Sequence, residues 1–397
     1  MAAPTLAKKT VAPQAGAAKV PPVIIPFTRA ARKKSRVIGS QSFTPGASVQ
    51  PLAPIQLPAA GYLRKLEIEV SGVCVNNIVA GVAFSADGPF PLFNSIGVLA
   101  ANGDTIHANM SGFTWSRLQK LGAFSADKGH APESDPTYSV TTGNGASAGS
   151  FSYVQEIPFE IDERDALGAL PNMASNQSFT LNLAVGTLAQ IYSTAPTNAP
   201  TVTITITMHY WAVPAAVNSA GVAQATAPLT AGTFSILQSQ QPAITAGTDQ
   251  TLQSANVGNT VRFVYFELRT AAGVRTDVDF PALFNLLVNN DIWMQKRKTL
   301  WQRQIGNDYG LTGAPNANPT AGALDNGVYI IDDFINGGSQ GKKASGSSNR
   351  DELLVTASAT ALDFEFNQFG ANASQLIIVT NSLKVADSAA LYAPKGV

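Results

Sequence analysis

Residues 201–214 read TVTITITMHYWAVP, and this stretch decides how the rest of the chain is interpreted. Threonine alternates with valine or isoleucine from Thr201 to Thr207, and β-branched residues favour extended backbone. Successive side chains of a strand point to opposite faces of a sheet. The stretch therefore predicts a strand with one hydroxyl face and one apolar face, the latter formed by Val202, Ile204, Ile206 and Met208.

A weakly structured run at residues 215–232 follows this strand and divides the chain into two parts of similar length. The 397 residues exceed the size of one ordinary domain. Short strand-like runs separated by turn signals fill both parts, which is typical of sandwiches and jelly rolls. The sequence thus predicts an all-β protein with short helices in its loops, in which two jelly-roll β-barrels at 37–214 and 233–397 are joined by a crossover linker at 215–232.

The two parts repeat one order of elements. Apolar spacing over residues 109–124 predicts a helix that carries Trp115 and ends with Gly122 as its C-cap. In the second part, residues 280–304 are predicted to form a helix that carries Trp301. Each tryptophan is followed two residues later by arginine, and a Gly-rich loop and three strands come next.

The last strand of the first part corresponds to the last strand of the second part. These closing strands are predicted at 201–211 and at 375–385. If the parts are similar barrels, the two closing strands must occupy equivalent positions in their sheets.

Charged residues make up 13% of the chain, about half of the roughly 25% that is usual in soluble proteins. A free monomer normally carries more charge for solubility. This composition favours a protein that buries much of its surface against copies of itself.

The net charge of zero hides a basic N-terminal segment. The first 66 residues contain ten basic and no acidic residues, which leaves sixteen basic and twenty-six acidic residues in the remainder. Prolines interrupt residues 1–36, so we interpret this range as an extended arm that is ordered by contact with an anionic partner, a solvated tail being the alternative. Its eight basic residues are Lys8, Lys9, Lys19, Arg29, Arg32, Lys33, Lys34 and Arg36.

Residues 145–149 (GASAG) match the letters of the hydrolase nucleophile elbow. That motif requires a strand before it and a helix after it, whereas this one lies in a Gly/Ser-rich loop that precedes a strand. We therefore reject a serine hydrolase. The same loop lacks the lysine of a phosphate-binding P-loop.

The densest acidic group is interpreted as a solvated strand end rather than a paired acid and base. It comprises Glu156, Glu160, Asp162, Glu163 and Asp165. Asp332 and Asp333 lack the spacing of a calcium loop and are interpreted as a turn.

The histidines His107, His130 and His209 lack the spacing of metal ligands, and the single cysteine, Cys74, is predicted to be a core residue. No enzyme, cofactor or metal is therefore predicted. The N-terminus has no apolar segment of a secretory signal, which predicts a protein made in a cytoplasm or released by lysis. This combination favours a structural or binding role.

Particular residues resemble those of the double jelly-roll major capsid proteins of tectivirus-like phages that contain an internal membrane. The resemblance covers the whole chain in length and order of elements. It is carried by SFTP at 42–45, GYLRKL at 61–66, NN at 76–77, YWAVP at 210–214 and NGVYIID at 326–332. The chain departs from the family in its basic, proline-broken arm, where a more helical N-terminus is expected.

The resemblance implies a homotrimer whose six barrels form a pseudo-hexameric block that tiles an icosahedral virion shell. The partners it implies are neighbouring capsomers, minor capsid proteins and an internal lipid membrane that the basic arm contacts. Nucleic acid is the second candidate partner for the arm. The implied location is the virion, after synthesis in the host cytoplasm.

Two functions of other classes stay open at this stage. A tandem β-sandwich phage spike or carbohydrate-binding protein would expose an aromatic platform, for which the candidates are Trp115, Trp211, Trp293 and Trp301. A β-sandwich hydrolase would use the acidic group at 156–165.

Overall fold

The computed structural model describes residues 24–77, 81–122, 132–174, 178–255, 257–310, 325–332 and 353–385. Within them the chain forms two β-sandwiches, here called barrel one and barrel two. The strands of barrel one are β1 (Arg32–Phe43), β2 (Gln50–Pro51), β3 (Ile55–Gln56), β4 (Gly61–Val73), β5 (Ala83–Phe84), β6 (Phe93–Leu99), β7 (Thr105–Met110), β8 (Ser139–Val140), β9 (Phe151–Pro158), β10 (Leu170–Asn172), β11 (Thr180–Val185), β12 (Tyr192–Thr194) and β13 (Thr201–Ala212).

The first strand of barrel two begins at Thr233. Its strands are β14 (Thr233–Gln240), β15 (Gln250–Gln253), β16 (Thr260–Thr270), β17 (Leu283–Val288), β18 (Asp291–Arg297), β19 (Val328–Ile331), β20 (Leu354–Val355), β21 (Leu362–Phe366) and β22 (Ala373–Val385). The helices are α1 (Phe27–Ala30), α2 (Gly112–Leu121), α3 (Leu188–Ile191) and α4 (Lys298–Tyr309), with single 3₁₀ turns at Phe90–Leu92 and Pro132–Ser134.

Both barrels have the same strand order. In barrel one, one sheet runs β1-β13-β4-β9, and the other places β11 between β6 and the short strands β2 and β3, with β7 beyond β6. In barrel two, the corresponding sheets run β14-β22-β16-β19 and β15-β21-β17-β18. Two four-stranded sheets that exchange strands in this order form a jelly roll. The predicted tandem of jelly rolls is confirmed.

Residues 201–212 form β13, the last strand of barrel one along the chain, as predicted. β13 is hydrogen-bonded between β1 and β4, and Val202, Ile204, Ile206 and Met208 are fully buried. β22 is held in the same way between β14 and β16. The two closing strands therefore occupy equivalent positions.

The two barrels are joined by more than the chain between them. β14 of barrel two lies parallel to β7 of barrel one, with Leu237 paired to His107. This contact makes one ten-stranded sheet from strands of both barrels. A single hydrophobic core contains buried residues of both.

The predicted helix around Trp115 is confirmed as α2. Ser111 caps its first turn by accepting a hydrogen bond from the Thr114 N–H, and Gly122 is its C-cap. Phe113, Leu118 and the other apolar residues of the predicted face are buried.

The helix predicted at 280–304 is wrong in its first half. Residues 283–297 form the β17–β18 hairpin, and α4 begins only at Lys298. The turn consists of Asn289 and Asn290, whose φ angles of 53° and 68° suit a two-residue hairpin with both central residues left-handed. The Asn-Asn pair was the turn signal, and alternating burial of Phe284 and Leu286 is strand periodicity.

Candidate functional site

The structure describes five of the eight basic residues that were predicted to contact an anionic partner. Lys8, Lys9 and Lys19 lie outside the described residues. Arg29 is on α1. The other four, all exposed, are on β1: Arg32, Lys33, Lys34 and Arg36.

The arm is fastened to barrel one before residue 36. Phe27 is 3% exposed and packs edge-on against Tyr62 and Trp211, with ring centroids 5.2 and 6.2 Å apart. β1 then pairs with β13 from Arg32 opposite Ala212 onward. The strand thus begins five residues before the predicted start of barrel one at Val37, because paired backbone and a buried aromatic anchor fix residues that look like a charged tail in the sequence.

β1 lies at one end of its sheet in the part of the chain that the structure describes. Lys33 donates to a Glu163 carboxylate oxygen over 2.6 Å and sits 5.1 Å above the Trp211 ring, on which Arg64 also packs. These contacts hold the basic strand to the sheet while its outer edge stays exposed.

The acidic group at 156–165 is paired with basic residues. Arg64 bonds Glu160 at 2.6 Å and also Glu163, and Lys65 bonds Glu156 at 2.6 Å. Burial raises the pKa of Glu160, while the Arg64 charge and the Trp211 N–H favour its ionised form. Glu160 and Asp162 are only 6% and 7% exposed, so the prediction of a solvated strand end is wrong for these two residues, which are buried and paired with arginine side chains.

A second set of charges is buried where barrel one meets barrel two. Asp87 of barrel one bonds Arg269 at 2.7 Å and Arg275 at 2.6 Å, both of barrel two. Arg275 is 1% exposed and lies 4.3 Å above the Phe113 ring of α2. Glu267, which is fully buried, accepts from Arg269 and from Thr114 of α2.

A similar contact extends this junction along α2. Asp325 accepts from Arg117 over 3.0 Å and from Lys120 over 2.6 Å, and both basic side chains are almost completely buried. Arg117 also donates to Glu133. Sequence reasoning missed the junction because its partners are up to 208 residues apart; the one signal was the Trp-x-Arg motif, whose first arginine is Arg117.

A cleft of about 640 Å³ opens beside this junction. Asp87, Phe93, Arg269, Arg275 and Gln375 are among its lining residues. Its arginines already bond Asp87 and Glu267, so the cleft wall is electrically balanced.

The residues considered for chemistry have structural contacts. Ser147 lies in an exposed turn between β8 and β9, without the strand and helix that an elbow requires. Cys74 is buried, and His209 bonds Glu67 at 2.8 Å. Asp332 is buried and accepts from Tyr309, whereas Asp333 and His130 lie outside the described residues.

Within the described ranges, no group of three or more potential metal ligands occurs. No helix in them is both long and apolar enough to cross a membrane.

The sequence matches no protein-family model and no curated protein. The crystal structure of the STIV major capsid protein matches 91% of this chain and 99% of its own, with a TM-score of 0.62 at 14% identity. The atomic structure of Sulfolobus Turreted Icosahedral Virus matches 89% of this chain and 91% of its own, with a TM-score of 0.59 at 14% identity. The PBCV-1 virus capsid matches 89% of this chain and 93% of its own, with a TM-score of 0.55 at 10% identity.

The fold is the double jelly roll of viral capsid proteins. The resemblance inferred from the sequence is thus confirmed at the level of the fold.

Three of the four tryptophans considered for an aromatic platform are buried in this fold. Trp115, Trp301 and Trp211 are 0%, 1% and 4% exposed. The Trp115 and Trp301 N–H groups donate to the backbone carbonyls of Ile96 and Ile330. Of the four tryptophans, Trp293 is exposed, at 48%, and it lies on β18 at the end of its sheet.

Proposed function

We propose that this chain is the major capsid protein of an icosahedral virus and that it assembles as a homotrimer. The observation that carries the proposal is the repeated jelly roll, two copies of which share one sheet through β7 and β14. Three such chains supply six similar lobes, which form a pseudo-hexameric tile for a closed shell. The low charge of 13% supports extensive contact between copies.

The size of the purified protein tests this proposal. We expect a species of about three times the chain mass of 41.4 kDa in light scattering, and closed shells in electron micrographs of assembled material. A protein that stays strictly monomeric at micromolar concentration, with no shells, would contradict it.

We propose that the basic arm faces the shell interior and contacts an anionic membrane surface. Each lysine or arginine near such a surface contributes about 1 kcal/mol of binding free energy. Arg32, Lys34 and Arg36 are exposed on β1, and Lys8, Lys9 and Lys19 precede them along the chain. Neighbouring capsomers and minor capsid proteins are the other proposed partners, in a virion assembled after synthesis in the host cytoplasm.

The arm is tested with a deletion of residues 1–23, which leaves Phe27 and β1 intact. We expect this variant to remain a trimer and to bind vesicles of phosphatidylserine and phosphatidylcholine more weakly than the full chain at low salt. The triple variant Lys8→Gln, Lys9→Gln, Lys19→Gln is the matched control, since it removes charge at constant length.

Pure phosphatidylcholine vesicles and duplex DNA are the comparison ligands. Binding to anionic vesicles that neither the deletion nor added salt weakens would contradict the membrane role. Binding of the full chain to DNA alone would transfer the role of the arm to nucleic acid.

A further inference from the structure

In each barrel one strand edge meets the other barrel, and in the described ranges other sheets end in strands with open outer edges. β7 of barrel one and β14 of barrel two cover each other within the chain. β1 of barrel one and β18 of barrel two are the last strands of their sheets, and no strand among the described residues pairs with their outer edges. Open edges of this kind are sites where another chain adds to a sheet.

β1 and β14 are equivalent strands, and their residues can be matched one to one. The pairing of β4 with closing strand β13 contains a β-bulge at Arg64, and the pairing of β16 with closing strand β22 contains one at Arg262. The two bulges make His209 of β13 and Asn381 of β22 equivalent residues. His209 pairs with Ser35 of β1, and Asn381 pairs with Leu237 of β14. Ser35 and Leu237 therefore occupy matching positions.

The matched positions differ completely in burial. Leu237 and its neighbour Ile236 are 0% and 4% exposed, and Leu237 pairs with His107 of barrel one. At the same positions in β1, Ser35 and Lys34 are exposed.

β7 and β18 are equivalent strands as well, and each leads into a helix with the Trp-x-Arg motif. Trp115 and Trp301 are each the fourth residue of that helix. His107 lies eight residues before Trp115, and Trp293 lies eight residues before Trp301. His107 pairs with Leu237 of barrel two. His107 is fully buried at the junction, whereas Trp293 is 48% exposed.

We propose that β18 of one copy lies parallel to β1 of a second copy, as β7 lies parallel to β14 within one chain. Trp293 of the first copy then lies beside Ser35 of the second. This inference rests on the proposed trimer and names the strands that build it.

The side chains at the two edges suit this pairing. Lys33 lies two residues before Ser35 and projects from the same face of β1, so a cation is available to pack against the Trp293 ring. The same register sets Asp291 of β18 beside Lys33 of β1, and opposite charges on neighbouring strands stabilise their pairing. Each copy has one edge of each kind, so the contact is head-to-tail and generates a ring when its rotation closes.

Cysteine cross-linking in the full chain tests the contact. The double variant Ser35→Cys, Trp293→Cys, treated with a short bismaleimide, should give covalent dimers and then trimers on denaturing gels. Each single variant should give almost no cross-linked product. The natural cysteine, Cys74, is 2% exposed, so we expect it not to react with the bismaleimide. Trp293→Cys with Leu229→Cys is the matched control, because Leu229 is 95% exposed but lies in the linker between the barrels.

A charge at the edge provides a second readout. Trp293→Glu should shift the species seen by light scattering from trimer to monomer while its unfolding temperature in the monomeric form stays near that of the wild type, and Leu229→Glu should remain a trimer. A wild-type trimer with no cross-link between residues 35 and 293, and a Trp293→Glu variant that is still a trimer, would overturn this contact and leave the proposed function standing. A wild type that never forms trimers would overturn both.

Discussion

β1 and β14 occupy the same position in two similar barrels and have opposite environments. Residues 235–237 of β14 are all buried where this strand meets barrel one, whereas residues 32–37 of β1 are all exposed. Their sequences follow this difference, with Ile236 and Leu237 in one strand at the positions of Lys34 and Ser35 in the other. The neighbour of a strand, rather than its place in the jelly roll, thus decides its chemistry.

The largest effect is expected from removing the ion pairs between Asp87 of barrel one and the two arginines of barrel two. Asp87→Asn leaves the buried Arg275 and the 14% exposed Arg269 without their shared carboxylate. Breaking a buried pair in this way costs about 3–5 kcal/mol, so we expect a loss of this size in the free energy of unfolding from urea denaturation.

Arg164→Gln is the control for this experiment. It removes an ion pair to Asp162 in which the arginine side chain is 61% exposed, and such pairs contribute about 0–1 kcal/mol. Equal losses in the two variants would show that the junction charges do not fasten the barrels.

The paired strands provide the next test. Leu237→Ala removes a fully buried side chain at the junction, which costs about 2–5 kcal/mol. Ser35→Ala at the matched exposed position should change the free energy of unfolding by less than about 0.5 kcal/mol when measured in the monomeric form. A large effect at both positions would mean that β1 is as buried as β14.

His107 makes the covered edge sensitive to acid. Its ring stacks on Phe159 with centroids 5.0 Å apart, packs against Trp115 and bonds the Pro158 carbonyl, and burial lowers its pKa to about 4. The unfolded chain binds a proton at an ordinary histidine pKa near 6.5, so the free energy of unfolding is unaffected above pH 6.5 and falls between pH 6.5 and 4.

The loss reaches at most about 3 kcal/mol at pH 4. His107→Phe should remove this part of the pH dependence, as followed by thermal unfolding at a series of pH values. A variant that keeps the wild-type slope between pH 6.5 and 4.5 would show that His107 does not carry it.

Much of the fold could be predicted because the information was local. Alternation from Thr201 to Thr207 determined a strand and its buried face, and helical spacing with Gly122 determined α2. The hairpin at 283–297 was mistaken for a helix because its apolar residues satisfy both periods over a short window. Asn289 and Asn290, which adopt positive φ, were the local signal that resolves the ambiguity.

The candidate site was predicted only in part. The sequence identified Arg32, Lys33, Lys34 and Arg36 as one basic cluster, but not as a paired edge strand. Trp293 was grouped with the other tryptophans, although it alone among the four is exposed. Exposure depends on which strand lies alongside, and that strand belongs to a distant part of the chain or, as we propose, to another copy.

By itself the sequence determined the two-part β pattern, the closing strands and the basic N-terminal segment, since these follow from side-chain periodicity and charge along the chain. Only the tertiary structure decided that Asp87 meets Arg269 and Arg275, and that β14 is covered while β1 stays open. Strand pairing and the pairing of buried charges depend on contacts between residues up to about 200 positions apart in the sequence. No local pattern determines which of many similar strands will pair.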